Sequence, residues 1–170
     1  MLTLNFDLKL QKSMEYYLAQ VNIARMLGPI DSPTMAGFVA NLDLINSLAD
    51  SSEGFIWRLK DDSNNATSIK VFDDEFIILN MSVWRDLDSL FNFTYQSTHK
   101  DFLGRRKEWF RRLEEMHMAC WYTPAGHLPT VTEATDRLEY IRKNGSTPFA
   151  FHFKKRFTVE ESREYTAVKG

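Results

Sequence analysis

The chain has 170 residues, 44% of them hydrophobic and 26% charged, with a formal net charge of −2. That length suits one domain with a substantial core, and the composition is that of an ordinary globular protein. A near-neutral charge with no segregated basic region argues against nucleic acid as the main partner, and a single cysteine, Cys120, excludes an internal disulfide and any multi-cysteine metal site.

Cys120 lies in an apolar run and reads as an inert buried thiol. The opening "MLTLNFDLKLQKS" carries Asp7 and no long apolar core, so it does not read as a signal peptide. No apolar run reaches membrane-spanning length, and a cytoplasmic protein is the expectation. With 13 Phe in the chain, the ring area calls for more than one buried surface.

"EYYLAQVNIARM", Glu15 to Met26, reads as a first strand. After the loop "GPIDSP", Ser32 is placed to cap a helix with Pro33 at its first position. Apolar residues then recur through Met35, Phe38, Val39, Leu42, Ile45 and Leu48 to an end near Ser52. Gly54 to Leu59 is a second strand, "KDDSNNATS" a polar loop, and Glu75 to Trp84 a third strand. Asp86 begins a helical stretch through Leu90, Phe91 and Tyr95, and "HKDFLGRRKEWFRRLEEMH", His99 to His117, reads as a further helix. Met118 to Gly126 is a fourth strand. Thr130 and Glu133 have capping-box spacing for a helix that Asn144-Gly145 stops, with Val131, Ala134, Leu138 and Ile141 on one face. "PFAFHFKKRF" is the fifth strand, with Phe149, Phe151 and Phe153 on one face and Ala150 and His152 on the other. The domain thus spans 13–157, with polar extensions at 1–12 and 158–170.

The order β-α-β-β-α-β, followed by an added α-β, is the split-βαβ, ferredoxin-like plan. It is an α+β fold in which an antiparallel sheet carries helices on one face. In the first strand Tyr17, Ala19, Val21 and Ile23 alternate with Tyr16, Leu18, Gln20 and Asn22. In the third, Ile77, Leu79, Met81 and Val83 alternate with Phe76, Ile78, Asn80, Ser82 and Trp84. The first set of each is apolar and suits the helix side. The second set is apolar at one end and polar at the other, less polar than a wet face and suited to a second sheet with a cavity at its polar end. Another copy of the chain is the simplest source of that sheet, which predicts a homodimer forming a dimeric α/β barrel.

At about 100° per residue, the helix from His99 gathers Phe102, Leu103, Trp109, Phe110 and Leu113 in one sector. Arg106 falls at its centre, nearly in line with His99. A buried guanidinium needs a partner. It either makes an internal salt bridge or carbonyl contacts, or it faces the cavity with His99 and holds an anionic or carbonyl-bearing ligand. His127, in "PAGHLPT", is placed either for a turn-stabilising hydrogen bond or for the cavity mouth. His117 ends the helix, where a cation relieves the dipole, and His152 lies on the less apolar side of the last strand. The cluster Arg105, Arg106, Lys107, Arg111 and Arg112 reads chiefly as a solvated helix face. Trp57, Trp84, Trp109 and Trp121 are core residues or the aromatic lining of a site for a flat ligand. The four histidines have no zinc spacing, and no phosphate-binding glycine loop or nucleophile motif occurs, so no metal is expected.

"LAQVNIARM", "HKDFLGRRKEWF" and "WYTPAGHLPTVTEATDRLEYIRKNGSTPFAFHF" resemble a largely bacterial family catalogued as a domain of unknown function, over about residues 17–153. That family sits in the dimeric α/β-barrel, antibiotic biosynthesis monooxygenase-like superfamily. Haem-degrading members use an Asn on the first strand, a Trp on the third and a His on the helix that follows. The resemblance puts Asn22, Trp84 and His99 on those elements in that order. The inserted "DLDSLFNFTYQST" and the added "AGHLPT" helix depart from the small monooxygenase pattern. What the resemblance implies is a monooxygenase-like enzyme for an aromatic or flat apolar substrate, with haem optional. His99 would serve as axial ligand or proton shuttle, Asn22 at the reacting oxygen and Arg106 against a carboxylate, while Trp84, Trp109 and Trp121 shape the wall. The rival readings are a non-catalytic ligand-binding or stress-related dimeric module and a purely structural dimer with a filled barrel.

Overall fold

The computed structural model describes residues 15–165, so the extension expected at 1–12 and the end of the one at 158–170 lie outside the described residues. Strand β1 (Tyr16–Met26) is the spine of the sheet. On one side it pairs with β3 (Ile77–Trp84) from Leu18 to Arg25, and β2 (Phe55–Arg58) adds outside β3. On the other side it pairs with β5 (Met118–Pro124) from Tyr16 to Asn22. Beyond Asn22 that side of β1 would be bare. A two-residue strand, β4 (Phe110–Arg111), meets Arg25 and Met26 there. All these pairs are antiparallel, and the order is β2-β3-β1-β5.

The helices are α1 (Ala36–Val39), α2 (Leu42–Asp50), α3 (Leu87–Gln96), α4 (His99–Arg105), α5 (Val131–Asn144) and α6 (Val159–Glu164). None of the helices among the described residues is long and apolar enough to cross a membrane. Two caps form where the sequence places them. Asp86 accepts from the Ser89 backbone N–H at 2.8 Å, and Thr130 from that of Glu133 at 3.1 Å. Gly54, at φ +78°, starts β2 where a Cβ would collide with the Ser89 hydroxyl, so α3 closes directly on this turn.

Because side chains alternate along a strand, β1 and β3 divide their residues between two faces. On the first, Ala19, Val21, Ile23, Leu79, Met81 and Val83 join Ala119 and Trp121 of β5 in one core, covered by Ala134, Leu138 and Ile141 of α5. On the second, Leu18, Trp84 and Cys120 pack with Ala49 of α2 and with Leu87 and Leu90 of α3. At its other end Met26 packs with Met35 and Trp109, flanked by Phe38 and Phe102. Helices therefore cover both faces, not one. The helix added after β5 takes the apolar face. The mixed face, assigned above to a partner's sheet, is covered by α1–α4 of the same chain.

Four local expectations change. The helix of residues 33–52 is a 3-10 turn (Pro33–Met35) followed by α1 and α2, with a break at Ala40–Asn41. Ser32 bonds back to the Pro29 carbonyl instead of capping, and the Asn41 side chain donates to the Gly37 carbonyl at the break. The helix from His99 stops at Arg105, and a 3-10 turn (Arg106–Glu108) leads into β4. The unpaired end of β1 wins the chain there: Leu27 N–H donates to the Trp109 carbonyl at 2.9 Å. His117 accordingly ends no helix. The fifth strand is a single bridge, Phe151 to Cys120, between turns at 147–150 and 152–155. The residues after Thr158 carry α6, whose Thr158 and Glu161 form a reciprocal capping box, and Tyr165 bonds Tyr140 of α5 at 2.8 Å.

Candidate functional site

A cleft of about 330 Å³ lies between the mixed face of the sheet and α1–α4. Its floor is set by register. Gln20 faces Ser82, Asn22 faces Asn80 and Ala24 faces Ile78, with Leu18 opposite Trp84 at one end and Met26 at the other. The Gln20 side chain donates to Asn80 Oδ1 at 3.0 Å and to Ser82 Oγ at 2.9 Å, and Trp84 Nε1 donates to the same Ser82 Oγ at 2.9 Å.

The helices supply the roof. Phe93 of α3 stacks on Trp84 with centroids 5.0 Å apart, and His99 lies 4.6 Å from Phe93. His99 Nδ1 is 3.3 Å from the Thr94 carbonyl. A carbonyl only accepts, so Nδ1 carries the hydrogen and Nε2 keeps a lone pair. Burial holds this imidazole below its ordinary pKa, favouring the neutral form. At the opposite end Phe102 stacks on Trp109 at 5.2 Å. Arg106, seven residues after His99 and hence nearly in line with it, lines the same cleft. Its guanidinium makes no ion pair or hydrogen bond among the described residues. The nearest acid in sequence, Glu108, is held by Arg105 through two contacts of 2.8 and 3.0 Å. Among the described residues no aspartate or glutamate lines the cleft.

One further cation faces it. Arg58 is 5% exposed, and it is paired. It donates to both Asp50 oxygens at 2.8 and 3.2 Å, and to the Asn64 carbonyl and side chain at 2.7 and 2.8 Å. A bulge between Phe55 and Trp57 makes this possible, because it turns Arg58 to the same side as Phe55. The loop after β2 is thereby tied to the sheet, and its Asn65, Ala66 and Thr67 close one wall.

Of the residues singled out from sequence, Asn22, Trp84, His99, Arg106 and Trp109 converge on the cleft. Trp121 and His127 do not. Trp121 is fully buried on the apolar face, where its Nε1 donates to Glu133 Oε1 at 2.9 Å, and His127 Nε2 meets Glu133 Oε2 at 2.8 Å. Glu133 thus serves those two instead of closing the capping box. Cys120 is inert, since burial pushes its thiol up to about 12. Among the described residues no cluster of His, Cys, Asp or Glu has the makings of a metal site. Arg58 and His117 are cleft residues that sequence reasoning missed, and Gln20 and Ser82 are ones it put on the mixed face without giving them a role. Gln20 and Ser82 share the alternation that brings Asn22 and Trp84 to that face.

The model of the family described as Domain of unknown function (DUF3291) matches residues 17–167. No curated protein matches the chain. Among solved structures, it is similar to PA3566 from Pseudomonas aeruginosa, with 11% identity over 68% of this chain and 98% of that one and a TM-score of 0.44. It is also similar to NE2512, a protein of unknown function from Nitrosomonas europaea, with 11% identity over 69% of this chain and 98% of that one and a TM-score of 0.43.

Proposed function

The chain belongs to the DUF3291 family, and from that premise we propose that it binds a small, flat, largely apolar anion in the cleft between its sheet and α1–α4. One observation carries the reading: a guanidinium that has no partner, in a cleft lined by no carboxylate, among the described residues. Arg106 pairs with the ligand's anionic group, and the stacked rings of Trp109 and Phe102 hold the body beside it. The strand order β2-β3-β1-β5, reached by helical crossovers, supports the split-βαβ, ferredoxin-like plan. A homodimer closing a barrel over the mixed face is not part of the reading, because the chain's own helices occupy that face; a second copy would meet it elsewhere.

The test is titration with 2-naphthoate, followed by tryptophan fluorescence, since Trp84 and Trp109 line the cleft. Saturable quenching is expected, and Arg106→Ala weakens it about tenfold or more, the worth of a charge-assisted hydrogen bond. No saturable quenching by the wild-type chain overturns the reading.

The enzymatic form of the same proposal is monooxygenase-like. An activated CH₂ of the bound molecule becomes C=O, one atom of O₂ going to the carbon and the other leaving as water. His99 Nε2, neutral and carrying a lone pair, takes the first proton. Oxygen consumption with ring-activated aromatic carboxylates that disappears in His99→Ala marks this form, and binding without consumption marks the non-catalytic module. Haem does not fit the residues present. His99 has the tautomer of an axial ligand, but Phe93 lies 4.6 Å from its ring and the cleft, at about 330 Å³, is at the small end for drug-sized ligands.

A further inference from the structure

The floor of the cleft holds more hydrogen-bond donors than its own acceptors use. Ser82 is 6% exposed and Gln20 5%. Both hydrogens of the Gln20 amide are taken, one by Asn80 Oδ1 and one by Ser82 Oγ. Ser82 Oγ also accepts from Trp84 Nε1. A hydroxyl oxygen has two lone pairs, and both are now occupied. Ser82 is therefore fixed as a donor toward some third group, and no acceptor among the described residues takes its hydrogen. Asn80, whose oxygen is committed to Gln20, likewise presents its NH₂ group. A buried donor left unmade is costly, and Ser82 lines the cleft.

The two ends of the cleft differ accordingly. Trp109 packs with Met26 and Ile78 at one end, and Arg106 begins the 3-10 turn just before it, its carbonyl accepting from the Trp109 N–H at 3.2 Å, while Ser82 stands beside Trp84 at the other end. Ser82 and Ile78 are four residues apart on β3, about 13 Å at the ordinary strand rise. His99 is stacked through Phe93 onto Trp84 and so belongs to the Ser82 end.

We infer that the ligand carries a second oxygen, a carbonyl or phenolate acceptor at the end of its ring system remote from the anionic group, and that Ser82, held by Gln20 and Trp84, is the residue that selects it. The ligand is then an oxo- or hydroxy-substituted aromatic acid, long enough to span the floor from Arg106 to Ser82. This rests on the ligand-binding reading above. A group bearing the oxygen at this end sits beside the lone pair of His99, so the acceptor end is also the end where proton transfer is available.

An isosteric pair of probes tests the inference: 6-acetyl-2-naphthoate and 6-isopropenyl-2-naphthoate, which differ by C=O against C=CH₂. The wild-type chain is expected to bind the acetyl compound about tenfold more tightly, and Ser82→Ala to bring the two within about twofold. Arg106→Ala weakens both by the same factor. Equal binding of the two probes by the wild-type chain overturns this inference and leaves the anion site standing, whereas binding of neither overturns the anion site as well. A preference that survives in a Ser82→Ala chain with a wild-type circular dichroism spectrum also overturns it. The wild-type comparison needs no variant, so a poorly folded Ser82→Ala chain does not shelter the claim.

Discussion

The two sides of the sheet hold the same residue types and differ in what they do with an arginine. On the α5 side a tryptophan, a histidine and an arginine each have a partner inside the chain. Trp121 and His127 share Glu133, and Arg137 donates to the Phe149 carbonyl while lying 3.7 Å from the Phe149 ring centroid. On the α1–α4 side Trp84 and His99 also have partners, Ser82 and the Thr94 carbonyl, yet both line a hollow, and Arg106 beside them has no partner among the described residues. The difference teaches that residue type alone does not mark a site. What marks it is whether the polar group is already satisfied. Arg58 comes with its acceptors, Asp50 and Asn64; Arg106 has none among the described residues, and that is the ground on which a ligand is proposed for it.

The comparison breaks most visibly at the closed side. Trp121→Ala empties a fully buried site and takes from Glu133 Oε1 its donor, so it is expected to cost about 3–5 kcal/mol of unfolding free energy, read by denaturant titration. A loss no larger than that of a surface substitution would mean that this side is not a packed core. The two arginines of the cleft sharpen the contrast next. Arg58→Ala is expected to cost about 1–3 kcal/mol, because four bonds go and the loop after β2 is released. Arg106→Ala should leave stability within about 0.5 kcal/mol, since no partner is stranded. Equal losses in the two variants would erase the distinction drawn between them.

The smallest effect is a pH slope. Burial lowers the pKa of His99 in the folded chain from an ordinary value of 6.5. As pH falls through that value the unfolded chain takes up a proton that the folded chain does not yet accept, so stability falls until the lower folded-state pKa is passed. His152 shifts in the same direction, through burial and the neighbouring Lys154, and adds to the slope. The part due to His99 is therefore the difference between the wild-type chain and His99→Phe. Unfolding free energy measured between about pH 5 and 7 should vary less steeply in the variant. Identical slopes would show that the imidazole is free to protonate where it lies.

Much of this was legible in the residues. The alternation along β1 and β3 gave both faces correctly, and Asp86 and Thr130 cap where their spacing places them. Arg106 and His99 were found by helical geometry although the helix is shorter than expected, because seven residues need only two turns to bring them into line. β4 was not legible, since two residues carry no period and the reason for the strand lies in the bare end of β1. "PFAFHF" alternates like a strand, yet two tight turns bend it, and tertiary contacts override the pattern. Trp121 was misplaced by residue type. Its register opposite Ala19 puts it on the apolar face. The coverage of the mixed face was the costliest miss. Deciding whether α1–α4 or a partner lies there requires knowing which way each crossover turns, and one chain's hydrophobic periods do not say.

The helix that follows β5 has a consequence for how this fold survives dilution. A barrel built from two copies keeps its apolar sheet dry only while the copies stay together, so its integrity depends on how much protein is present. Here Ala134, Leu138 and Ile141 come from the same polypeptide as the strands they shield. Shielding of that surface is an intramolecular event, set by chain connectivity and indifferent to concentration.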